Sequence, residues 1–276
     1  RQALAAFAAG KHVFCEKPLG MNVAEAASML RAAERSQKIH QVAFTYRYLY
    51  GVQELKRRLL NGEIGDPYYV SVHFDSWDGM NPDATIGFRD QLAVAGGGVL
   101  YDAGSHLFDI VGFVLGPIEA VTGSTVLVPR ERSDPNTGRR TPVETDDIAS
   151  ASFFCRNGVR GQLFASRATP ASGEKSYIKV VGRRGAFKAS LSRGAVDVLK
   201  VSRLTQPAWE VVSLPEEASD GRSHCLARMM RSFVEACLEG RLNREVDASF
   251  MDGYAVQQAL SAVLDTAPRQ PWIHLK

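Results

Sequence analysis

The chain has 276 residues, 45% hydrophobic, 9% aromatic and 23% charged. That is the composition of a folded globular protein, and at about 150 residues per domain the length suffices for two domains. Disorder and a small disulfide-stapled scaffold are excluded. Thirty-three Lys and Arg against 30 Asp and Glu leave a net charge of +3, without a basic block. Nucleic acid and anionic membrane are therefore poor partners, and a small molecule is the expected ligand. Cys15, Cys155, Cys225 and Cys237 are too widely spaced for a Cys-x-x-Cys motif and fit reduced thiols in a cytoplasmic protein. No run of about 18 apolar residues and no export signal is apparent.

Residues 1–10 (RQALAAFAAG) read as the second half of a helix stopped by Gly10. Residues 13–15 follow as a short apolar strand, halted by Glu16-Lys17-Pro18-Leu19-Gly20, which places polar residues at a strand's carboxyl end. Asn22 and Glu25 resemble a capping box for a helix with Val23, Ala26, Ala27 and Leu30 on one face, and residues 39–44 read as the next strand. Such alternation predicts parallel strands joined by crossover helices, with ligand groups gathered at the carboxyl ends. A helix over 50–60 comes next. Beyond Gly65-Asp66-Pro67 the apolar period changes to two, giving strands at 68–75, 118–128, 147–155, 159–166, 176–181, 186–191, 196–202 and 209–214, with a hairpin turn at Asn157-Gly158. Residues 133–142 read as a polar loop, and helices over 225–239 and 250–266 close the chain. Because it starts at Arg1 inside a helical pattern and without Met, we expect an N-terminal truncation.

Two clusters carry chemistry. Lys17, on a turn beside a sheet, can exchange a proton with a hydroxyl if shielding lowers its pKa; a solvated turn lysine is the plainer alternative. The second cluster is GGGVLYDAGSHLFD, residues 96–109. Its glycines permit close backbone approach to a ligand, and the apolar spacing after them predicts a helix to Gly116-Pro117. Asp102 and His106 then share one helical face, with Asp109 a turn further on. A carboxylate so placed can fix the imidazole tautomer and make His106 a proton acceptor. A helix-surface ion pair is the bland alternative, and a divalent metal on Asp102, His106 and Asp109 a less favoured one.

The segments AGKHVFCEKPLGMNVAEA, TYRYLYGVQELKRRLLNGEIGDP and GGGVLYDAGSHLFDIVGFVLG, in this order and spacing, resemble the glucose-fructose oxidoreductase, inositol dehydrogenase and rhizopine catabolism (Gfo/Idh/MocA) family of nicotinamide-dependent oxidoreductases. The resemblance implies an α/β plus α+β protein: the remainder of a Rossmann parallel sheet over 1–48, then a large open, mainly antiparallel sheet with flanking helices over 49–276 for substrate binding and assembly. It implies hydride transfer between NAD or NADP and a hydroxyl of a sugar, inositol or related polyol. Glu16 would contact the cofactor ribose, Lys17 would lie beside nicotinamide and substrate, and Pro18 would shape the turn through a cis bond. Asp102 would orient His106 as the base, while Lys17 would stabilise the alkoxide. Arg47 would touch substrate or cofactor, although Thr45 stands two residues before it where the family often has Asn. Arg89 and Tyr101 would line the substrate pocket, with Asp109 near them. The family's G-x-G-x-x-G fingerprint is absent from the sequence, so about 80–100 residues of the cofactor half are expected to be missing and NAD against NADP is left open. Two other readings stand beside this one: an NAD-dependent glycosidase of the same family, and a ligand-sensing or inactive member. A homo-oligomer, dimer or tetramer, is expected through the sheet face of residues 118–214.

Overall fold

The structure, a computed structural model, describes residues 1–170, 176–191 and 197–266, without the side chains of 219–224. The chain opens with α1 (Gln2–Ala8), β1 (Val13–Cys15), α2 (Val23–Ser36) and β2 (His40–Val42). β1 and β2 pair in parallel, Val13 opposite His40. Asn22 caps α2 by accepting from the Glu25 amide at 2.9 Å, and the Glu25 carboxylate reaches back to the Met21 amide at 3.1 Å. This is a capping box with its return bond displaced by one residue.

After α3 (Tyr50–Leu60) and β3 (Pro67–Asp75) the chain leaves the sheet for residues 78–98, which include the short α4 (Leu92–Ala95). A π-helical turn, Leu100–Gly104, runs straight into α5 (Ser105–Leu115). The remaining elements are β4 (Ile118–Val126), β5 (Glu131–Ser133), β6 (Arg140–Pro142), β7 (Ile148–Cys155), β8 (Arg160–Ser166), β9 (Ser176–Gly182), β10 (Gly185–Ser190), β11 (Leu199–Arg203), β12 (Gln206–Val211), α6 (Gly221–Glu239) and α7 (Phe250–Thr266).

Eight strands form one sheet in the order β12-β11-β10-β9-β3-β8-β7-β4, every pair antiparallel except β3 with β8. The period of two decides which face is buried: in β9, Ser176, Ile178 and Val180 point inward while Tyr177, Lys179 and Val181 are half-exposed. α5 lies in the core with ten residues buried, so it is apolar nearly all round rather than on one stripe. α7 packs on β4, α2 and α5, and one continuous core runs from Phe7 to Val263.

Two expectations are corrected here. Residues 133–142 are not a plain loop: β5 and β6 pair antiparallel as a hairpin around Asp134, whose carboxylate accepts from the Asn136 and Thr137 amides. And one stretch, Leu92–Leu115, does reach the length and apolarity of a membrane span, but 89% of its apolar 18-residue window is buried inside the protein. Its apolarity serves the core. Residue 196, placed at the start of a strand from sequence, lies outside the described residues.

Candidate active site

β1 ends at Cys15, so residues 16–18 stand at its carboxyl end. The Lys17–Pro18 peptide is cis. Glu16 is exposed there. Lys17 turns away from solvent toward the π-helical turn, 85 residues later. Its Nζ lies 2.5 Å from Asp102 Oδ1 and donates at 2.8 Å to the Asp102 carbonyl. With the Lys17 side chain 13% exposed and Asp102 36%, this pair is screened less than a surface ion pair. The other Asp102 oxygen, Oδ2, is 3.4 Å from Nε of Arg89, whose guanidinium lies over the Phe88 ring at 4.7 Å.

His106 follows one turn later and is buried. Its ring stacks on Tyr46, centroids 4.6 Å apart and 28° between planes, with Phe44 edge-on at 6.1 Å. Sequence reasoning placed Asp102 beside His106 and did not foresee its ion pairs with Lys17 and Arg89. Lys17, Arg89, Asp102 and His106 are thus gathered from three stretches of chain. A π turn at this point is in keeping with such insertions, which often sit at functional sites.

Two predicted ligand contacts turn inward. Arg47 is 5% exposed, bonded to Asp109 (2.6 Å from Nη2), Asp252 (3.1 Å) and the Asp247 carbonyl (3.2 Å). It forms, with Asp109, part of the wall of a 520 Å³ cleft between α5, β4 and α7. Burial pushes the Asp109 carboxyl up to about 6 against the pull of Arg47. Tyr101 is 4% exposed; its hydroxyl donates to the Met21 carbonyl and accepts from Gln257 Nε2, both at 3.1 Å.

Gly96 ends α4 in the left-handed region at φ 75°, while Gly97 and Gly98 serve chain packing. A Cβ on Gly98 would sit 2.0 Å from the Asp146 carbonyl oxygen, and one on Gly97 would sit 2.5 Å from the Tyr101 ring. Among the described residues, no group of three His, Cys, Asp or Glu comes together to hold a metal; Asp109 faces Arg47 and Asp102 faces Lys17. Sequence reasoning missed Tyr46 beside His106, although Thr45-Tyr46-Arg47 was already singled out. It also missed Asp146, whose Asp146-Asp147 pair before an apolar strand was a visible signal.

A profile described as "Oxidoreductase family, NAD-binding Rossmann fold" matches residues 1–44, and one described as "GFO/IDH/MocA C-terminal domain" matches residues 52–188. Levoglucosan dehydrogenase of Pseudarthrobacter phenanthrenivorans is 26% identical over 98% of this chain and 75% of its own length. Glucose-6-phosphate 3-dehydrogenase of Bacillus subtilis is 30% identical over 67% of this chain and 52% of its own length. A solved levoglucosan dehydrogenase in complex with NADH and L-sorbose superposes with a TM-score of 0.87 at 25% identity, covering 98% of this chain and 75% of that one. The chain therefore spans between about half and three quarters of the length of these relatives. With both profiles in register along more than half of its residues, the chain belongs to the Gfo/Idh/MocA family of oxidoreductases.

Proposed function

We propose that the protein is an NAD- or NADP-dependent dehydrogenase acting on a secondary hydroxyl of a sugar, inositol or related polyol. The observation that carries this is the shielded Lys17–Asp102 pair at the carboxyl end of β1, the place where open parallel sheets bind ligands. The donor set fits a dinucleotide's nicotinamide end: Glu16 offers an exposed carboxylate to ribose hydroxyls, and Lys17 a fixed ammonium beside the ring. When bound, the cofactor supplies the hydride acceptor.

The chain's own residues do the rest. Lys17, held by Asp102, faces the substrate oxygen and stabilises negative charge as the hydroxyl proton leaves. His106, backed by Tyr46, takes that proton. Arg89 lines the substrate side, its Nε aligned on Asp102 and its apolar face on Phe88. Arg47 and Tyr101 act from beneath, fixing α5 and the residue 21 turn. In this reading residues 1–48 form the cofactor side and 49–276 the substrate and assembly side. The half-exposed sheet face carries Phe154, Trp209, and His73 stacked on Phe164 and Tyr177. Such a face supports a homo-oligomer, and a monomer by light scattering at micromolar concentration would refute it. Four free thiols are consistent with the cytoplasm.

The test is reduction of NAD or NADP by the complete gene product over a panel of sugars and inositols, with Lys17→Ala and His106→Ala. Losses of about 10²-fold or more in turnover are expected from each. Both variants turning over like the wild type would end the proposal.

A further inference from the structure

Four consecutive residues, 144–147, each grip a different part of the wall around Asp102. The Glu144 amide donates to the Asp90 carbonyl at 2.8 Å, and its carboxylate accepts from the Leu92 amide at 3.0 Å. Thr145 is 1% exposed; its hydroxyl donates at 2.7 Å to the carbonyl of Arg89 and accepts from Arg167 at 2.9 Å. Asp146 accepts from the Gly98 amide at 2.6 Å and the Leu100 amide at 2.8 Å through its carboxylate, and from the Val99 amide at 3.0 Å through its carbonyl. Asp147, fully buried, takes Arg130 and Arg167 in ion pairs of 2.5 and 2.7 Å.

Three successive amides at the start of the helix that carries Asp102 are therefore held by one residue. This matters because Lys17 is bound by the Asp102 carbonyl as well as by its carboxylate. A shift of the π-turn backbone moves both contacts together. One residue earlier, Thr145 holds the backbone of Arg89, the other partner of Asp102. A carboxylate at a helix N-terminus is also favoured by the macrodipole, which offsets the cost of half-burying Asp146.

We propose that Thr145 and Asp146 are positioning residues: adjacent on one strap, they set the two cations, Arg89 and Lys17, on opposite oxygens of Asp102. The inference rests on the dehydrogenase reading only for its catalytic consequence; the geometry of the Asp102 cluster stands apart from it. Asp146→Asn keeps the shape but loses one of the two carboxylate acceptors. Thr145→Val loses the hydroxyl, and Thr145→Ser restores it.

The experiment has one arm independent of activity. Lysines are labelled biosynthetically with ¹³C at Cε, the Lys17 resonance is assigned by its loss in Lys17→Arg, and its titration midpoint is followed by NMR. We expect Asp146→Asn to move that midpoint by about half a pH unit or more, Thr145→Val by less, and Thr145→Ser to match the wild type. In the turnover arm, kcat falls about 10-fold or more in Asp146→Asn with KM for the cofactor unchanged. A Lys17 midpoint unmoved in both Asp146→Asn and Thr145→Val, each folded by circular dichroism, overturns the positioning role. A moved midpoint in a protein without dehydrogenase turnover would instead sustain it and refute the functional reading. Should Asp146→Asn not fold, the Thr145→Val and Thr145→Ser pair decides alone.

Discussion

Gly98→Ala offers the sharpest test of how the helix bearing Asp102 and His106 is held. A Cβ there meets the Asp146 carbonyl oxygen at 2.0 Å, its amide nitrogen at 2.6 Å and its carbonyl carbon at 2.8 Å, all backbone. Ordinary contact begins near 3.4 Å, so the segments must separate by about 1.4 Å, which no rotamer change can supply. The amides of Gly98, Val99 and Leu100, now 2.6, 3.0 and 2.8 Å from Asp146 oxygens, would pass beyond hydrogen-bonding distance. Two of these bonds are charge-assisted, at about 1.5–3 kcal/mol each, and one is neutral, at about 1 kcal/mol. Allowing for partial relaxation, Gly98→Ala should cost about 3–5 kcal/mol in urea unfolding. Gly112→Ala on the same helix is the control: a Cβ there meets nothing within 4 Å, and removing a helical glycine should stabilise by about 0.5–1 kcal/mol. A Gly98→Ala protein within 1 kcal/mol of the wild type (the neutral-bond scale above) would refute the account of the clamp.

The buried Arg47–Asp109 pair predicts a pH dependence. Burial pushes Asp109 from its ordinary 3.8 up to about 6, so its neutral form is favoured in the fold. The associated stability is complete below pH about 4 and lost as pH rises through about 6, at most about 3 kcal/mol at 1.36 kcal/mol per pH unit. Asp109→Asn should therefore change the slope of stability between pH 4 and 7, and a constant offset from wild type would contradict this. Arg47→Ala leaves Asp109 and Asp252 facing each other without their cation and should cost about 3–5 kcal/mol in denaturant melts at pH 7; a loss below 1 kcal/mol would show that the pair contributes little. Tyr101→Phe deletes a hydroxyl bonded at both ends and should cost about 1–2 kcal/mol, with turnover affected less than in Asp146→Asn; the reverse order would place Tyr101 in contact with substrate.

Much of the fold was legible because it rests on short-range pattern. The alternation of β9 and β10 shows as clean inward and outward residues, Asn157-Gly158 makes its turn with Gly158 at φ 86°, and α7 runs over Phe250–Thr266 as the spacing indicates. What escaped depends on other things. The β5–β6 hairpin has strands of only three residues, too short for a period to register, and is closed by side-chain bonds of Asp134. The π turn at Leu100–Gly104 changes helical register without changing composition. Arg47 was singled out as a contact to substrate or cofactor, and nothing in a linear string shows that its guanidinium is clasped by Asp109 and Asp252, 62 and 205 residues away.

The same limit explains why the strap over residues 144–147 could not be foreseen from the cluster it serves. Residue types announce chemistry, since an amine, a carboxylate and an imidazole have few uses together in a nicotinamide-linked site. They do not announce which carboxylate partners which cation. Here the carboxylate four residues before His106 is ion-paired with Lys17, and the charge that fixes the helix start comes from Asp146, 48 residues beyond Gly98. On the helix side, a glycine with an ordinary φ is the trace of that arrangement. Gly98 is required not for backbone freedom, since its φ is not in the left-handed region, but because another main chain passes where a Cβ would be. Close approach between segments far apart in sequence is thus written as the absence of a side chain, and it is there that the position of Asp102, and through it Lys17, is decided.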